Sequence, residues 1–461
     1  MNLLDKIKND EILNYIRCNF DNPLYLVGGA VRDFLLQNPV YDRDLIVCDT
    51  DVKNFSKLLA LKLDATFVSL DEENNIYRLV LKDKINFLDI TEPIQNSLEK
   101  DLMRRDFTIN ALAVDLHTGE IIDLSNGIVD FNNKQINPIS EQNFYDDPLR
   151  MLRAYRFQAN LGFVISDKIL KFSDKNSKLI HNCAKERINY EMMKLFKGEF
   201  AHEALLNMGK LLEEILPVTI KLKQVPPNSH HHLDLFHHSV ETVRQINNLY
   251  VDASKEVQNH LDTVDFGGFS RLTHLKLAAF LHDIGKFSTW KIIDGRHRFI
   301  KHDDVGAKMS VEILKKLCFS NKQIEYISAM IKNHIYPSSV ISSPVVNEKI
   351  MMRFIRKMEL NSIDVIFLAM ADRLSARGPE ISDDIVNKNI EGLSSLLNFY
   401  LEKSKTLEPL PVLLNGNDIM KIFNIKPSPQ LGKILNELHE AQICGEVITK
   451  NDAINFVKTL L

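Results

Sequence analysis

The sequence predicts an α+β protein: a small α/β sheet unit near the N-terminus, then mostly helical units to the C-terminus. From residue 24 to about 139, short apolar runs alternate with helical patches. From 145 onward strand signals nearly vanish and helix-period patterns dominate. Pro226-Pro227-Asn228-Ser229 punctuates the helical part, and the Ser-Ser-Pro and Arg-Gly-Pro steps near 342–344 and 377–379 mark turns. The 461 residues, 45% hydrophobic and 26% charged, suffice for three or four packed units. We place the boundaries at 1–139, 140–225, 226–395 and 396–461.

Residues 1–20 carry Leu3, Leu4, Ile7, Ile12 and Ile16 at the spacing of an amphipathic helix. Leu24 to Val27 reads as a strand ending in Gly28-Gly29, and Val31, Phe34 and Leu35 lie on one face of a following helix. A Gly-Gly step lets backbone N–H groups approach an anion, and the helix aims its positive end at the same spot. Asp42 and Asp44 are two apart, so on a strand both point to one face, where they can share a divalent cation. Together these features suit metal-dependent phosphoryl transfer from a nucleoside triphosphate. Taken alone, Gly-Gly is also a plain turn and Asp-x-Asp a solvated loop edge. Further strands are expected at Leu45–Val47, Ala65–Val68, Tyr77–Leu81, Ile85–Ile90 and Ala111–Val114.

The formal net charge is −4, so no global basic signal for nucleic acid exists, yet residues 146–200 carry eleven Lys/Arg against seven Asp/Glu. Such a local stripe fits either a nucleic-acid backbone footprint or a solvated helical surface. Five scattered cysteines without a CxxC pair point to reduced thiols and no structural zinc. No apolar run has the length of a signal peptide core or a membrane span, so a soluble, cytoplasmic protein is expected.

Several stretches share an order and spacing with one family: Leu26-Val-Gly28-Gly29-Ala-Val-Arg32-Asp33, Asp42-Arg-Asp44, Asp101-Leu-Met-Arg104-Arg105-Asp106-Phe-Thr-Ile-Asn110, Gly119-Glu-Ile-Ile-Asp123, Asp146-Asp147-Pro148-Leu-Arg150 and Glu186-Arg187-Ile188 with Glu191. The chain resembles the bacterial and eukaryotic-type tRNA nucleotidyltransferases (CCA-adding enzymes) and the related bacterial poly(A) polymerases. The match is motif by motif over roughly 20–200 and looser beyond. The resemblance implies a nucleotidyltransferase head, a helical nucleotide-selecting and RNA-binding neck, and template-independent addition of C and A to tRNA 3′ ends from CTP and ATP. It implies Mg²⁺ held by Asp42 and Asp44, with Asp89 as the candidate third acid. Gly28, Gly29 and Arg32 would hold phosphates, while Arg105, Asp106 and Asn110 position ribose and phosphates.

Asp147 before Pro148 is by default a helix N-cap. That does not account for Arg150, Arg153 and Arg156, spaced three apart along the next helix. In the family, the Asp and Arg at the positions of Asp147 and Arg150 hydrogen-bond the base edge. Cytosine and adenine both present an amine beside an acceptor, so one pair can read both and reject U and G. The segment between Asp89 and Arg104 is shorter than in members that add all of CCA, which resembles the CC-adding specialists. A poly(A) polymerase is the other alternative among transferases.

Five of fifteen histidines fall within 230–238: His230, His231, His232, His237 and His238. Downstream come His282-Asp283-Ile-Gly-Lys286, Lys301-His302-Asp303, Asn333-His334 and Ala371-Asp372-Arg373. Adjacent His-Asp with further His and Asp from other helices can converge on one or two divalent metals and activate water. The pattern resembles the HD phosphohydrolase superfamily, which maps ligands to His238, His282, Asp283 and Asp372, with His302 and His334 completing a second position. Mn, Ni, Co or Fe would serve there. A reading from a different class follows, an HD phosphohydrolase acting on RNA ends. The tail opens at Pro409-Leu-Pro411, and Gly432 and Lys433 resemble the family's tRNA-contacting turn, with Arg187 a further RNA-binding candidate. No membrane partner is expected.

Overall fold

The computed structural model describes residues 2–343, 347–405 and 410–461. They form two compact units, Met1–Leu216 and Pro217–Leu461. Pro344, which the sequence marks as a turn, and Pro409, where the tail opens, lie outside the described residues.

The first unit is built on a seven-stranded mixed sheet. Its strands are β1 (Leu24–Val27), β2 (Asp42–Val47), β3 (Thr66–Asp71), β4 (Ile76–Val80), β5 (Phe87–Thr91), β6 (Leu112–Asp115) and β7 (Ile121–Asp123), in the order β3-β4-β5-β2-β1-β6-β7. Only β2 and β5 run parallel. Leu24, Leu26, Leu45, Val47, Leu79, Leu88 and Ile90 are buried against helix residues such as Phe55 and Leu59. Each such side chain contributes about 1.5–3 kcal/mol by leaving water, which holds the strand register. That register sets Asp44 beside Val27 on one side and Asp89 on the other, with Arg78 opposite Asp89.

Period-two alternation sends Asp42 and Asp44 to one face and Arg43 to the other, where it is buried against Asp10 at 2.7 Å. Asp10 also corrects the expectation of one N-terminal helix. Its backbone is extended and its carboxylate caps Ile12 and Leu13, so the segment divides into Leu4–Asn9 and Glu11–Asn19. Beyond the sheet, helix Leu149–Leu161 packs on Lys185–Lys197 and Ala201–Asn207.

In the second unit, helices Leu235–Val251, Arg271–Leu281 and Ser362–Ser375 pack on one another, and His302–Lys316 packs on Asn321–Asn333. Helices Gly416–Phe423, Pro429–Cys444 and Lys450–Leu460 enclose a core of their own around Ile419, Leu438 and Val457. Among the described residues, no helix is long and apolar enough to cross a membrane, and the five cysteines are free. Strands stand at three places where the sequence predicts mostly helix: Val164–Ile165, the pair Val264–Phe266 and Phe269–Ser270, and a hairpin of strands Trp290–Ile293 and Arg296–Phe299. Asp294 and Gly295 at its tip both have positive φ, as a tight two-residue turn requires.

Candidate functional site

Asp42, Asp44 and Asp89 bring one carboxylate oxygen each to within 4.8 Å of one another. Burial and the neighbouring Asp42 push Asp44 up to about 6, and burial and Asp89 raise Asp42. Crowded carboxylates raised in this way are a donor set short of positive charge, which fits a divalent cation. Asp89 is already engaged, because Arg78 from β4 donates two hydrogen bonds of 2.7 Å to its carboxylate and lies 4.0 Å from Asp42. No sequence motif pointed to Arg78; only the β4–β5 pairing brings it there.

Asp42 and Asp44 open into a cleft of about 1130 Å³. Gly28 has φ +69°, and a Cβ there would lie 2.6 Å from an Arg105 guanidinium nitrogen, so only glycine lets Arg105 approach. Buried Asp101 orients that guanidinium, accepting from Arg104 at 3.2 Å and Arg105 at 3.0 Å. Arg32 reaches the same wall and donates to Asn110 at 2.6 Å. Gly29 lines the cleft at the start of the helix Gly29–Leu35.

Asp106 is not free for a ligand. It accepts from the Phe107 amide, from Asn110 and from Arg153, and its buried carboxylate is held below the usual range by Arg153 against the opposing effect of burial. Arg153 and Arg156 both pair with buried Glu191, at 3.5 and 3.2 Å. Arg187 pairs with Asp147 at 2.9 Å. The basic stripe is therefore partly neutralised within the protein rather than presented as a free face. Lys194 and Lys197, in the stripe but not singled out, line the cleft with Asp147 and Arg150. The helix begins at Leu149 with Pro148 at its cap position, and the Leu149 amide donates to Asp147 Oδ1 at 3.3 Å while the other Asp147 oxygen meets Arg187. Arg150 donates to the Asn143 carbonyl, and burial lowers its pKa.

In the second unit, His238, His282, Asp283 and Asp372 form one potential metal set, and Asp283, His302 and His334 form another. Asp283 Oδ2 lies 3.4 Å from His238 Nε2 and 3.2 Å from His282 Nε2. Its Oδ1 lies 3.2 Å from His302 Nε2 and 3.7 Å from His334 Nε2. Asp372 Oδ1 completes the first set, 3.1 Å from His238 Nε2. Nδ1 of His282, His302 and His334 each meets a backbone carbonyl, of Ala279, Phe299 and Ile331, at 2.6–2.8 Å. A carbonyl only accepts, so Nδ1 carries the proton and Nε2 presents its lone pair. In the pair His302 and His334, two such nitrogens face each other at 3.3 Å, a repulsion that a divalent cation between them would relieve, as would a proton on one ring. These residues therefore fit two divalent metals with Asp283 as the bridge.

Only His238 of the 230–238 cluster enters this set. His231 packs on its ring at 4.4 Å and meets Lys286 Nζ at 3.3 Å, and His237 pairs with Asp234. Lys286 lies 2.6 Å from Asp283, and with His282 it holds that carboxyl well below its usual range although burial opposes this. A Cβ on Gly285 would lie 2.0 Å from the His302 carbonyl, so glycine brings the two ligand-bearing segments together. Far along the chain, Gly432 and Lys433 lie exposed in the first turn of helix Pro429–Cys444.

Sequence models of known families match four stretches: "Poly A polymerase head domain" over 24–137, the "RNA and SrmB- binding site of polymerase A" over 162–222, "HD domain" over 235–377 and "tRNA nucleotidyltransferase domain 2" over 404–457. An A-adding tRNA nucleotidyltransferase of Deinococcus radiodurans is 29% identical over 444 residues, 94% of each chain. A CC-adding tRNA nucleotidyltransferase of Thermus thermophilus is 29% identical over 94% of this chain and 92% of its own. Among solved structures, the Thermotoga maritima CCA-adding enzyme complexed with tRNA has a TM-score of 0.57 at 21% identity, covering 100% of this chain and 99% of its own.

Proposed function

The chain belongs to the tRNA nucleotidyltransferase and poly(A) polymerase family and carries an HD domain, and from that premise we propose that it adds C and A to tRNA 3′ ends without a template. One observation carries the reading. The acids Asp42 and Asp44, the glycine wall with Arg32 and Arg105, and the pair Asp147 and Arg150 all line a single cleft. Asp42 and Asp44 would hold Mg²⁺, with Asp89 beside them. When bound, Mg²⁺ activates the attacking 3′-hydroxyl and neutralises the triphosphate. Arg32 and Arg105 orient the phosphates, and Asp106 and Asn110 keep Arg153 and Arg32 in place. Arg187 holds Asp147 for base reading, while Arg150 donates to the base edge. Gly432 and Lys433 would meet the tRNA backbone. The four-part division at 139, 225 and 395 assigns head, neck, HD domain and tail.

Asp147→Ala or Arg150→Ala should admit UTP and GTP, lowering discrimination about 10- to 100-fold, the worth of one base-edge pair. A four-nucleotide incorporation assay reads this, and unchanged selectivity would remove the assignment.

A CC-adding specialist is favoured by one feature. The segment between Asp89 and Arg104 is no free basic loop; it forms helix Leu98–Met103, with Leu102 buried and Asp101 tied to Arg104 and Arg105. Incubating a tRNA lacking CCA with CTP, with ATP and with both separates the outcomes. Growth by three with both nucleotides supports CCA addition, and growth by two that ATP cannot extend marks the specialist. Processive ATP addition to general RNA ends would mark a poly(A) polymerase.

The HD domain is proposed as a second active centre, releasing phosphate from 2′,3′-cyclic or 2′-phosphate ends before addition, with Mn²⁺, Ni²⁺, Co²⁺ or Fe²⁺ held by His238, His282, Asp283, His302, His334 and Asp372. The bridging geometry of Asp283 supports this. It predicts phosphate release stimulated by these metals, and activity surviving His282→Ala with Asp283→Ala would count against it.

A further inference from the structure

The hairpin Trp290–Phe299 stands at the HD centre, and beyond the Phe299 carbonyl that meets His302 it has no part in the chemistry described so far. Its register pairs Lys291 with Arg298 and Ile293 with Arg296 across the strands. Alternation therefore puts Lys291, Arg296 and Arg298 on one face, and Trp290, His297 and Phe299 on the other. Cations directly opposite each other destabilise a two-stranded sheet. Among the described residues, no carboxylate forms an ion pair with any of these three, and all three are exposed. The opposite face is held together: Trp290 stacks on His297 and donates Nε1–H to its Nδ1 at 3.1 Å. The hairpin is thus kept ordered while displaying an uncompensated basic face.

It is also joined to the metal centre at its base. The Phe299 ring receives Lys286 Nζ at 5.5 Å, and the Phe299 carbonyl meets His302 Nδ1 at 2.8 Å. Lys286 and His302 both touch Asp283.

We propose that the basic face of this hairpin docks the single-stranded phosphodiester backbone of an RNA whose end the HD centre acts on. This rests on the reading that the HD domain acts on RNA ends. Cations gathered on one face without carboxylate partners match the charge of a nucleic-acid backbone, and a polyanion bound there would relieve the repulsion between Lys291 and Arg298, which face each other across the strands.

Trp290 is the only tryptophan in the chain, so its emission reports on the hairpin alone. Titrating the full-length protein with an oligouridylate of about ten nucleotides should give a saturable change in emission. In the variant Lys291→Ala/Arg296→Ala/Arg298→Ala that change should be lost at moderate salt. Its salt dependence should fall by about two in log–log slope, for three single-strand phosphate contacts. The charge-keeping variant Lys291→Arg/Arg296→Lys/Arg298→Lys should retain the response. An emission change that survives the alanine variant overturns the proposal, as does loss in the charge-keeping variant. A response to vesicles containing phosphatidylserine but not to RNA would overturn it in favour of a membrane surface. CTP addition to a truncated tRNA, measured on the same variants, should be unchanged. Failure of addition or of phosphate release in the native protein would tell against the functional reading while leaving the emission titration readable.

Discussion

Asp42→Ala or Asp44→Ala should lower nucleotide addition by at least ~10³-fold, since on the proposed reading either removes a ligand of a cation worth several kcal/mol to the transition state. Incorporation of labelled CTP into a tRNA lacking its CCA end reads this, and an activity within tenfold of the native protein would remove Asp42 and Asp44 from the chemistry. The same carboxylates set a pH limit. Burial and Asp42 push Asp44 up to about 6, so addition at fixed, subsaturating Mg²⁺ should fall as pH drops through about 6, where a proton competes with the cation. For stability the sign is opposite. A carboxyl whose folded pKa is raised binds its proton more tightly when folded, so it destabilises the metal-free protein progressively as pH rises from about 4 to about 6. Asp44→Asn should therefore raise the melting temperature of metal-free protein at pH 7.5, and the gain should shrink as pH falls toward 4. Calorimetry at both pH values checks this. A gain that persists unchanged at pH 4 would assign the effect to packing.

Asp283→Ala should have the second large effect. Asp283 is the residue shared by both metal sets, so its removal should empty both positions, bring bound metal to background and abolish phosphate release by at least ~10³-fold. Addition of CTP by the N-terminal cleft should persist. His302→Ala is the contrast: it belongs to one set only and should lose metal from that position while the other remains. Metal content by mass spectrometry, with a melting curve to confirm folding, separates these. Retention of two metals per chain in Asp283→Ala would refute the bridge. Removing Asp283 also leaves Lys286 buried without its partner, so some loss of stability is expected in that variant.

The candidate metal-binding residues were legible because their types and spacings are restricted. Asp42 and Asp44 two apart, and His282 beside Asp283 with later His302, His334 and Asp372, converge as the resemblance implied. The roles of basic residues were much less legible. Arg153 and Arg156 read as nucleotide-binding and Arg187 as RNA-binding, and nothing in the sequence showed that each is also paired with Asp106, Glu191 or Asp147. Those partners lie up to 47 residues away in the chain. The hairpin had a local signal, Asp294-Gly295 between β-rich runs, which the dominance of helical patterning around it obscured.

By itself, the sequence determined the α+β class and the motif residues of both candidate sites, including the Gly28-Gly29 step. These follow from local preference and from chemistry that few side chains can perform. Tertiary structure alone decided which charges are neutralised. Strand register set Arg78 on Asp89 and so occupied the third acid, and helix packing set Arg187 on Asp147. It also made one carboxylate, Asp283, serve two groups of histidines. An ion pair or a bridge depends on a separation of a few ångströms between side chains far apart in sequence, and only the packed core fixes that distance.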